Sequence, residues 1–505
     1  MHIEKHFFDT KNLLKEIPAE EISCWLLNQG YFPERYVLPP SFQVSEFNLQ
    51  EDLYNKDISD LKRREIQTIS YPKSFLNERK FGTIHPWNYH DVVYYLHNNW
   101  GKIIEHLFHK EQKIYSYSFP IPVTKSKKGR IGNLRAGRMI YEWLQMAERD
   151  LIIDGGKFQY IVRTDIANFY SSIYTHSIAW ALHGRNEALN DKKFSFFGNK
   201  IDRLIQYSND ARTNGISVGS ALSDLISEII LAAIDLEVSR KIKEKNPFAA
   251  VRFKDDYRIL CNSEKDGNEI LQILSEELSH YNLVLNENKT SIYKLPDGLY
   301  RIHDREYFPH SLKNESEIDF KVFEHTLLIV LDIHRRNPGT SIIEKFLAEL
   351  FNKDKNLKIR FSDNHSRRFQ EIKKMIELLF FTKRESQKIL CHVLSICDWL
   401  YIEYYKMFPQ LKSYLKEKIE YEIQIASENG STFEVIWYIF FSRFIKLGIR
   451  DFKSLIGNKK IRENNFYCSM LLSKQQIFKD SGIKLFTRPK EFTGKKLASL
   501  VSVFD

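Results

Sequence analysis

The pattern of apolar and polar positions changes character twice along the 505 residues. Residues 1–110 are mixed and mostly helical in pattern; SCWLLNQGYFPERYVLPPSF (23–42) closes a helical stretch and enters an extended, proline-punctuated one. Residues 111–310 alternate strand-like and helix-like pieces. KFQYIVRTD (157–165) alternates and is rich in β-formers, which predicts a strand. ALSDLISEIILAAIDLEV (221–238) sets Leu222, Leu225, Ile226, Ile229, Ala233 and Leu236 at helical spacing. VRFKDDYRIL (251–260) reads as strand, turn, strand, GNEILQILSEELSHY (267–281) as an amphipathic helix, and LVLNENKTSIYKL (283–295) as a second hairpin-like unit. Over residues 311–505 the pattern turns helical, from KVFEHTLLIVLDIHRR to TFEVIWYIFFSRFIKLG, with polar breaks such as RRNPGT and SENGS and no fixed repeat period. The fold class expected is α+β in three parts, the last an all-α domain of stacked helix pairs.

Charge and cysteine usage narrow the setting. The formal net charge is +10 and the pI about 9.0. That balance suits a polyanionic partner such as nucleic acid, or simply a lysine-rich surface. Five cysteines without a CxxC fit neither a zinc module nor a disulfide framework, and point to a reducing compartment. The opening MHIEKHFFDTKNLL lacks a signal-peptide core, and no run of about 18 apolar residues occurs. A cytoplasmic protein without a membrane span is expected.

The adjacent Asp255 and Asp256 carry the candidate chemistry. Phosphoryl transfer by two metals needs carboxylates that hold two Mg²⁺ ions about 3.5–4 Å apart. Mg²⁺ prefers hard oxygen ligands. Adjacent side chains of a flat strand point to opposite faces, but a tight turn can bring both to one ion. Asp is equally at home in a turn for its own backbone hydrogen bonds, so FKDDY alone is also a plain hairpin tip. Its neighbours change the balance. Asp165 ends a strand and is followed by IANFYSSIYTHSI; then come GISVGSALSDLISEIIL, FKDDY and NENKT.

This ordered set resembles the palm of reverse transcriptases: motif A at Asp165, motif B at Gly215–Gly219, the motif C hairpin at Asp255-Asp256, and motif D with Lys289. DIANFYSSIYTHSIAWALHG, GISVGSALSDLISEI, RFKDDY and LNENKT are similar to the polymerases of bacterial abortive-infection (Abi) and related phage-defence reverse transcriptases, as are GYFPERYVLPPSF and RKFGTIHPWNY. The resemblance implies reverse-transcriptase fingers and palm (111–310) after an N-terminal part of the fingers (1–110), no standard thumb, and a HEAT-like helical-repeat domain (311–505). It implies Mg²⁺ on Asp165, Asp255 and Asp256, with Mn²⁺ as a substitute, and the Ile166 carbonyl as a further donor. Tyr170 would exclude a ribose 2′-OH and so favour dNTPs, or else is a core tyrosine. Gly219 would let the backbone approach the nucleotide. Lys289 would protonate the pyrophosphate leaving group, or is a turn lysine. Glu228 on the motif B helix is read as a polar-face residue.

Between Lys110 and Arg138 eight basic residues face one acid, Glu111. Lys128, Arg130, Arg135 and Arg138 are candidates for triphosphate or strand contacts on a fingers loop, or form a solvated basic loop. His106 and His109 lack a third ligand nearby and are read as surface residues.

Motif C reads Phe-Lys-Asp-Asp, and motif B has Ser217-Val218-Gly219 where templated enzymes have Pro-Gln-Gly. The missing Gln fits a polymerase that does not copy a template. The family resemblance further implies protein-primed synthesis on a tyrosine hydroxyl, DNA covalently attached to the protein, anti-phage action in a bacterial or prophage-encoded setting, and a homo-oligomer. Tyr31 and Tyr36 are candidates for the priming residue because they sit in an irregular segment. Two other readings stand: a templated RNA-directed DNA polymerase of the retron or intron-maturase kind, and an inactive palm serving as a nucleic-acid-binding scaffold.

Overall fold

The computed structural model describes residues 1–51, 62–73, 77–123, 131, 135–191, 194–242, 247–473, 478–501 and 503, apart from the side chains of 135–138 and 464. Seven strands organise the first two thirds: β1 (Gln67–Pro72), β2 (Glu78–Thr83), β3 (Ile114–Ser116), β4 (Tyr160–Asp165), β5 (Ala249–Phe253), β6 (Asp256–Cys261) and β7 (Ser291–Lys294). β1 and β2 form a separate antiparallel hairpin. The other five make one sheet in the order β3-β5-β6-β4-β7, antiparallel except for the β3–β5 pair.

Strand alternation gives this sheet two unlike faces. Tyr257, Arg252 and Val162 point to one, where the helix Ala221–Lys241 receives Tyr257 and Arg252, and Gly267 of the helix Glu264–His280 lies close to Val162. Asp165, Arg163, Asp256, Arg258 and Phe253 share the other, where Phe253 meets Trp143 edge-on. Ala221–Lys241 is buried along most of its length, because apolar side chains surround it on nearly every side. Ser220 caps its start by accepting from the Ser223 amide.

The stretch 283–295 departs from the hairpin-like expectation. Leu285 makes a lone bridge to Ile166, Glu287–Lys289 form one tight turn, and only Ser291–Lys294 is a strand, paired to β4. β4 thus receives both pieces, and they do not pair with each other.

Beyond residue 310 the helices Phe320–Arg336, Ile342–Glu349, His365–Glu385, Leu390–Tyr404, Leu411–Glu428 and Thr432–Phe444 follow. Several touch the next helix but one: Phe320–Arg336 with His365–Glu385, Ile342–Glu349 with Leu390–Tyr404, and the latter with Thr432–Phe444. This is how alternate helices meet when pairs are stacked. Leu390–Tyr404 and Thr432–Phe444 are buried on almost every side. Inside the stack Lys383 pairs with Glu422 and Glu434, so its buried charge is neutralised. The region is not wholly helical: Ile318–Asp319 and Ile359–Arg360 form a two-residue parallel ladder.

The C-terminal part folds back on the N-terminal part. The Thr487 amide donates to the Ser41 carbonyl (2.8 Å), the Ser45 amide to the Lys484 carbonyl (3.0 Å), and Trp437 Nε1 to the Val37 carbonyl (3.3 Å). Tyr467 hydrogen-bonds Thr83 on β2 at 2.7 Å. Residue 310 therefore marks a change of pattern, while the packed core continues across it. Among the described residues no helix is long and apolar enough to cross a membrane.

Candidate active site

The β4–β6 register sets Asp165 directly opposite Asp256. On the far side of β6, Phe253 pairs with Asp256, which leaves Lys254 and Asp255 as a two-residue turn. Lys254 has φ 55, in the left-handed region. A side chain there costs on the order of 1–3 kcal/mol, and the surroundings must hold it. They do. The Lys254 amide donates to Ser118 Oγ (2.8 Å), its carbonyl accepts from Arg252 Nη1 (3.1 Å), and its ammonium reaches Asp224 Oδ2 (3.1 Å). The Asp255 carbonyl accepts from the Ile166 amide at 3.1 Å, tying the turn to the residue after Asp165.

Arg252 is the hub beneath this turn, and sequence reasoning missed it. It is 1% exposed and donates to both oxygens of Glu228 (2.9 and 3.0 Å) and to Asp235 Oδ2 (2.8 Å). Ser116 and Ser118 each donate to Glu228 at 2.7 Å, and the Tyr257 hydroxyl to Asp235 at 3.0 Å. Glu228 is therefore a buried partner of Arg252, not the polar-face residue expected from the sequence. Asp224, Glu228 and Asp235 fall within about 40° of one another around the helix. That acidic stripe on an apolar helix was the available signal.

The three carboxylates repel one another. Burial, then Asp255 and Asp165, push Asp256 up to about 6; burial, then Asp165, raise Asp255. Lys289 offsets part of this through an ion pair with Asp165 Oδ2. Burial opposes its charge, but Asp165 and its neighbours raise its pKa on balance. The other oxygen, Asp165 Oδ1, is buried without a hydrogen-bond partner. Hard oxygens, mutual repulsion and an orphaned buried acceptor suit a divalent cation. Among the described residues no three His, Cys, Asp or Glu side chains stand closed into a ligand set.

The raised pKa has a stability consequence. Asp256 titrates near 6 in the folded chain and near 3.9 unfolded. Its contribution is fully present below about pH 4 and lost as pH rises through about 6. Protein crowds the Asp256 carboxyl on most sides while the outer surface of the residue stays open to solvent, which screens much of the repulsion. Without divalent ions, Asp256→Asn should therefore stabilise the chain at pH 7 by on the order of 1 kcal/mol, and by less at pH 5. Denaturant unfolding of both proteins at the two pH values checks this.

Residues 99–321 match the family of reverse transcriptases (RNA-dependent DNA polymerases). The chain carries a reverse transcriptase domain. By that domain it is an enzyme, a nucleotidyltransferase, and domains of this kind use divalent metal ions. No curated protein matches the chain. Similar solved structures include the apo telomerase of Candida tropicalis truncated from its C-terminal domain, with 14% identity over 48% of this chain and 52% of that one, TM-score 0.29. The apo telomerase of the same organism gives 10%, 86%, 69% and 0.32, in the same order. Telomerase from Candida albicans with a fragment of telomeric RNA gives 13%, 75%, 65% and 0.29. The chain spans about half the length of the first of these.

Within the reverse transcriptase domain, Tyr170 is half-buried and donates to Asp224 Oδ1 at 2.5 Å, the carboxylate that also holds Lys254. Phe169 is core. Ile166 buries its side chain, and its amide goes to Asp255. The motif B loop is fastened to the β1–β2 hairpin. Ser217 Oγ donates to the Gly82 carbonyl (3.1 Å) and the Gly82 amide to the Val218 carbonyl (2.9 Å). Gly219 has φ 120, and a Cβ there would lie 2.7 Å from Phe81 and 2.8 Å from Pro33. Close packing of this loop on Phe81 of β2 and on Pro33 is by itself enough to require glycine.

His106 is not a surface residue: it is part-buried, with Nε2 2.8 Å from the Ile229 carbonyl. His176 pairs with Asp202 at 2.5 Å. Tyr31 is 1% exposed, donates to the Ile84 carbonyl, and burial raises its pKa well above 10. Tyr36 is half-buried against Tyr71. The irregular segment that carries both is thus well packed. Lys128 and Arg130 lie outside the described residues. Arg135 and Arg138 lie on the helix Arg135–Leu144, and their side chains are outside the described part.

Proposed function

We propose that this chain is a Mg²⁺-dependent DNA polymerase of the abortive-infection type. In this reading it adds dNTPs to a tyrosine hydroxyl of its own, without a template, in defence against phage, as a homo-oligomer with DNA attached to the protein. The observation that carries the reading is the meeting of Asp165, Asp255 and Asp256 at one end of a reverse transcriptase sheet. Bound there, the divalent ions supply Lewis acidity to the attacking hydroxyl and to the leaving oxygen. Mn²⁺ is the alternative occupant.

The chain's own residues divide the remaining work. The three aspartates hold the metals, with the Ile166 carbonyl as a further donor. The aromatic ring of Tyr170, held by Asp224, excludes a ribose 2′-OH. Lys289, paired with Asp165 in this structure, would donate its proton to the departing pyrophosphate. Lys128, Arg130 and Arg135 contact the triphosphate, and Gly219 the nucleotide. Two observations support independence from a template: motif B lacks Gln, and its loop is fastened to the β1–β2 hairpin by Ser217 and Val218. A priming hydroxyl needs access to solvent. Tyr141 is 72% exposed and Tyr300 51%, against 1% for Tyr31. The stacked helices after residue 310 are read as HEAT-like repeats in place of a thumb.

The description of the matched family, RNA-dependent DNA polymerase, favours a second reading as a templated enzyme. One experiment separates the two. The purified chain is incubated with Mg²⁺ and labelled dNTPs, alone and with a primed RNA template, and run on a denaturing gel. A nuclease-sensitive smear on the protein band without nucleic acid is the expected result. Extension only of the supplied primer, in template order, would overturn self-priming and establish the templated reading.

A further inference from the structure

We infer that Arg163, Arg258 and Arg301, the last two lying over the Trp143 ring, form a binding site for a phosphate group beside the three carboxylates. Arg163 and Arg258 stand directly opposite each other on β4 and β6, two residues along the strands from Asp165 and Asp256 and on the same face. At about 3.3 Å per residue this is some 7 Å away. Arg301 joins them: its guanidinium lies 4.5 Å from the centre of the Trp143 ring, and that of Arg258 lies 4.6 Å from it.

Such an arrangement is costly by itself. Like charges directly opposite on a sheet repel, and a buried guanidinium normally has a carboxylate. Arg258 is 3% exposed, and its Nη1 is buried without a hydrogen-bond partner. Among the described residues none of the three arginines makes an ion pair with a carboxylate. Arg252, one residue before Phe253 on β5, is the contrast, since Glu228 and Asp235 neutralise it. The guanidinia of Arg258 and Arg301 each lie over the Trp143 ring, a cation–π contact that offsets part of the cost. It gives Arg258 Nη1 no hydrogen-bond acceptor, and a guanidinium fork matches phosphate oxygens.

The site adjoins the centre proposed above, where two sources can bring a phosphate: the backbone of the strand being extended, or the triphosphate of the incoming nucleotide. Both call on the same chemistry. The test reads binding first, so it can fail while the polymerase reading stands, and the reverse.

Arg163 and Arg301 are half-buried, which makes them the residues to change. The full chain and its Arg163→Gln/Arg301→Gln variant, with matching melting curves, are titrated with a labelled single-stranded DNA oligonucleotide over a range of salt without divalent ions. The expected result is about tenfold weaker binding and a salt slope shallower by about 0.7 for each arginine that no longer neutralises a phosphate. The parallel arm measures the KM for dNTP. Unchanged strand binding with a several-fold higher KM also upholds the site and assigns it to the triphosphate. Wild-type strand binding together with wild-type KM would overturn it and leave the cluster as packing around Trp143. If the double variant does not fold, Arg301→Lys and Arg301→Gln are compared in the same way. Loss with glutamine that lysine recovers in part, since lysine keeps the charge but not the fork, upholds the site, and equality of the two with wild type or with each other overturns it.

Discussion

Asp255→Asn is expected to lower nucleotide incorporation by about 10³-fold or more while leaving the fold as stable as before. The metal-held oxygens of a phosphoryl-transfer centre contribute several kcal/mol to the transition state, and each 1.36 kcal/mol is tenfold in rate. Asn keeps the size of Asp but not its charge. Stability should not fall, because the Asp255 carboxyl is raised by burial and by Asp165, so its ionised form strains the folded chain at pH 7. The turn does not depend on that side chain. It is held through the Asp255 carbonyl, which accepts from Ile166, and through Lys254. Rate and stability should thus move independently, or in opposite directions. Incorporation assays beside denaturant unfolding measure both. Unchanged incorporation would favour the reading of the palm as an inactive scaffold.

Arg252→Met is expected to do the reverse, with stability falling first. Its removal leaves Glu228 and Asp235 buried without a cation, and breaking such a pair costs about 3–5 kcal/mol. It also removes the donor to the Lys254 carbonyl, so the turn carrying Asp255 loses one of its restraints. A misplacement of about 1 Å in a catalytic group costs roughly 10² in rate. Arg252→Met/Glu228→Gln/Asp235→Asn separates the two effects. Neutralising all three groups should restore most of the stability, since a well-packed neutral core matches a buried ion network. Incorporation should stay low, because nothing replaces the bond to Lys254. Full recovery of both would reduce Arg252 to a purely structural residue.

The sheet and its carboxylates were legible because their signals are local. β4 alternates, the helix Ala221–Lys241 carries an apolar repeat and a serine cap, and two aspartates between β-formers mark a turn. What stayed hidden depends on distant partners. The hairpin β1–β2 is rich in polar and charged residues and is half exposed, so its sequence carries no clear alternation. Stretch 283–295 holds strand-like residues on both sides of NENKT, yet each side pairs with β4 or its end instead of with the other. Arg252 beside two aspartates reads as one more charge near a turn. Only the packing of β5 on the motif B helix shows it facing Glu228 and Asp235. The return of residues 484–487 to 41–45 rests on backbone hydrogen bonds, which no side-chain pattern announces.

Three aspartates acting as one metal centre are the core of the proposed mechanism. The most direct measurement is titration of the chain with Mn²⁺, followed by electron paramagnetic resonance with dNTP present, for wild type and for Asp165→Asn/Asp255→Asn. Wild type should bind two ions, the double variant should lose both, and Lys289→Met should tighten binding by freeing Asp165 Oδ2. Equal Mn²⁺ binding by wild type and the double variant would contradict a metal centre on these aspartates.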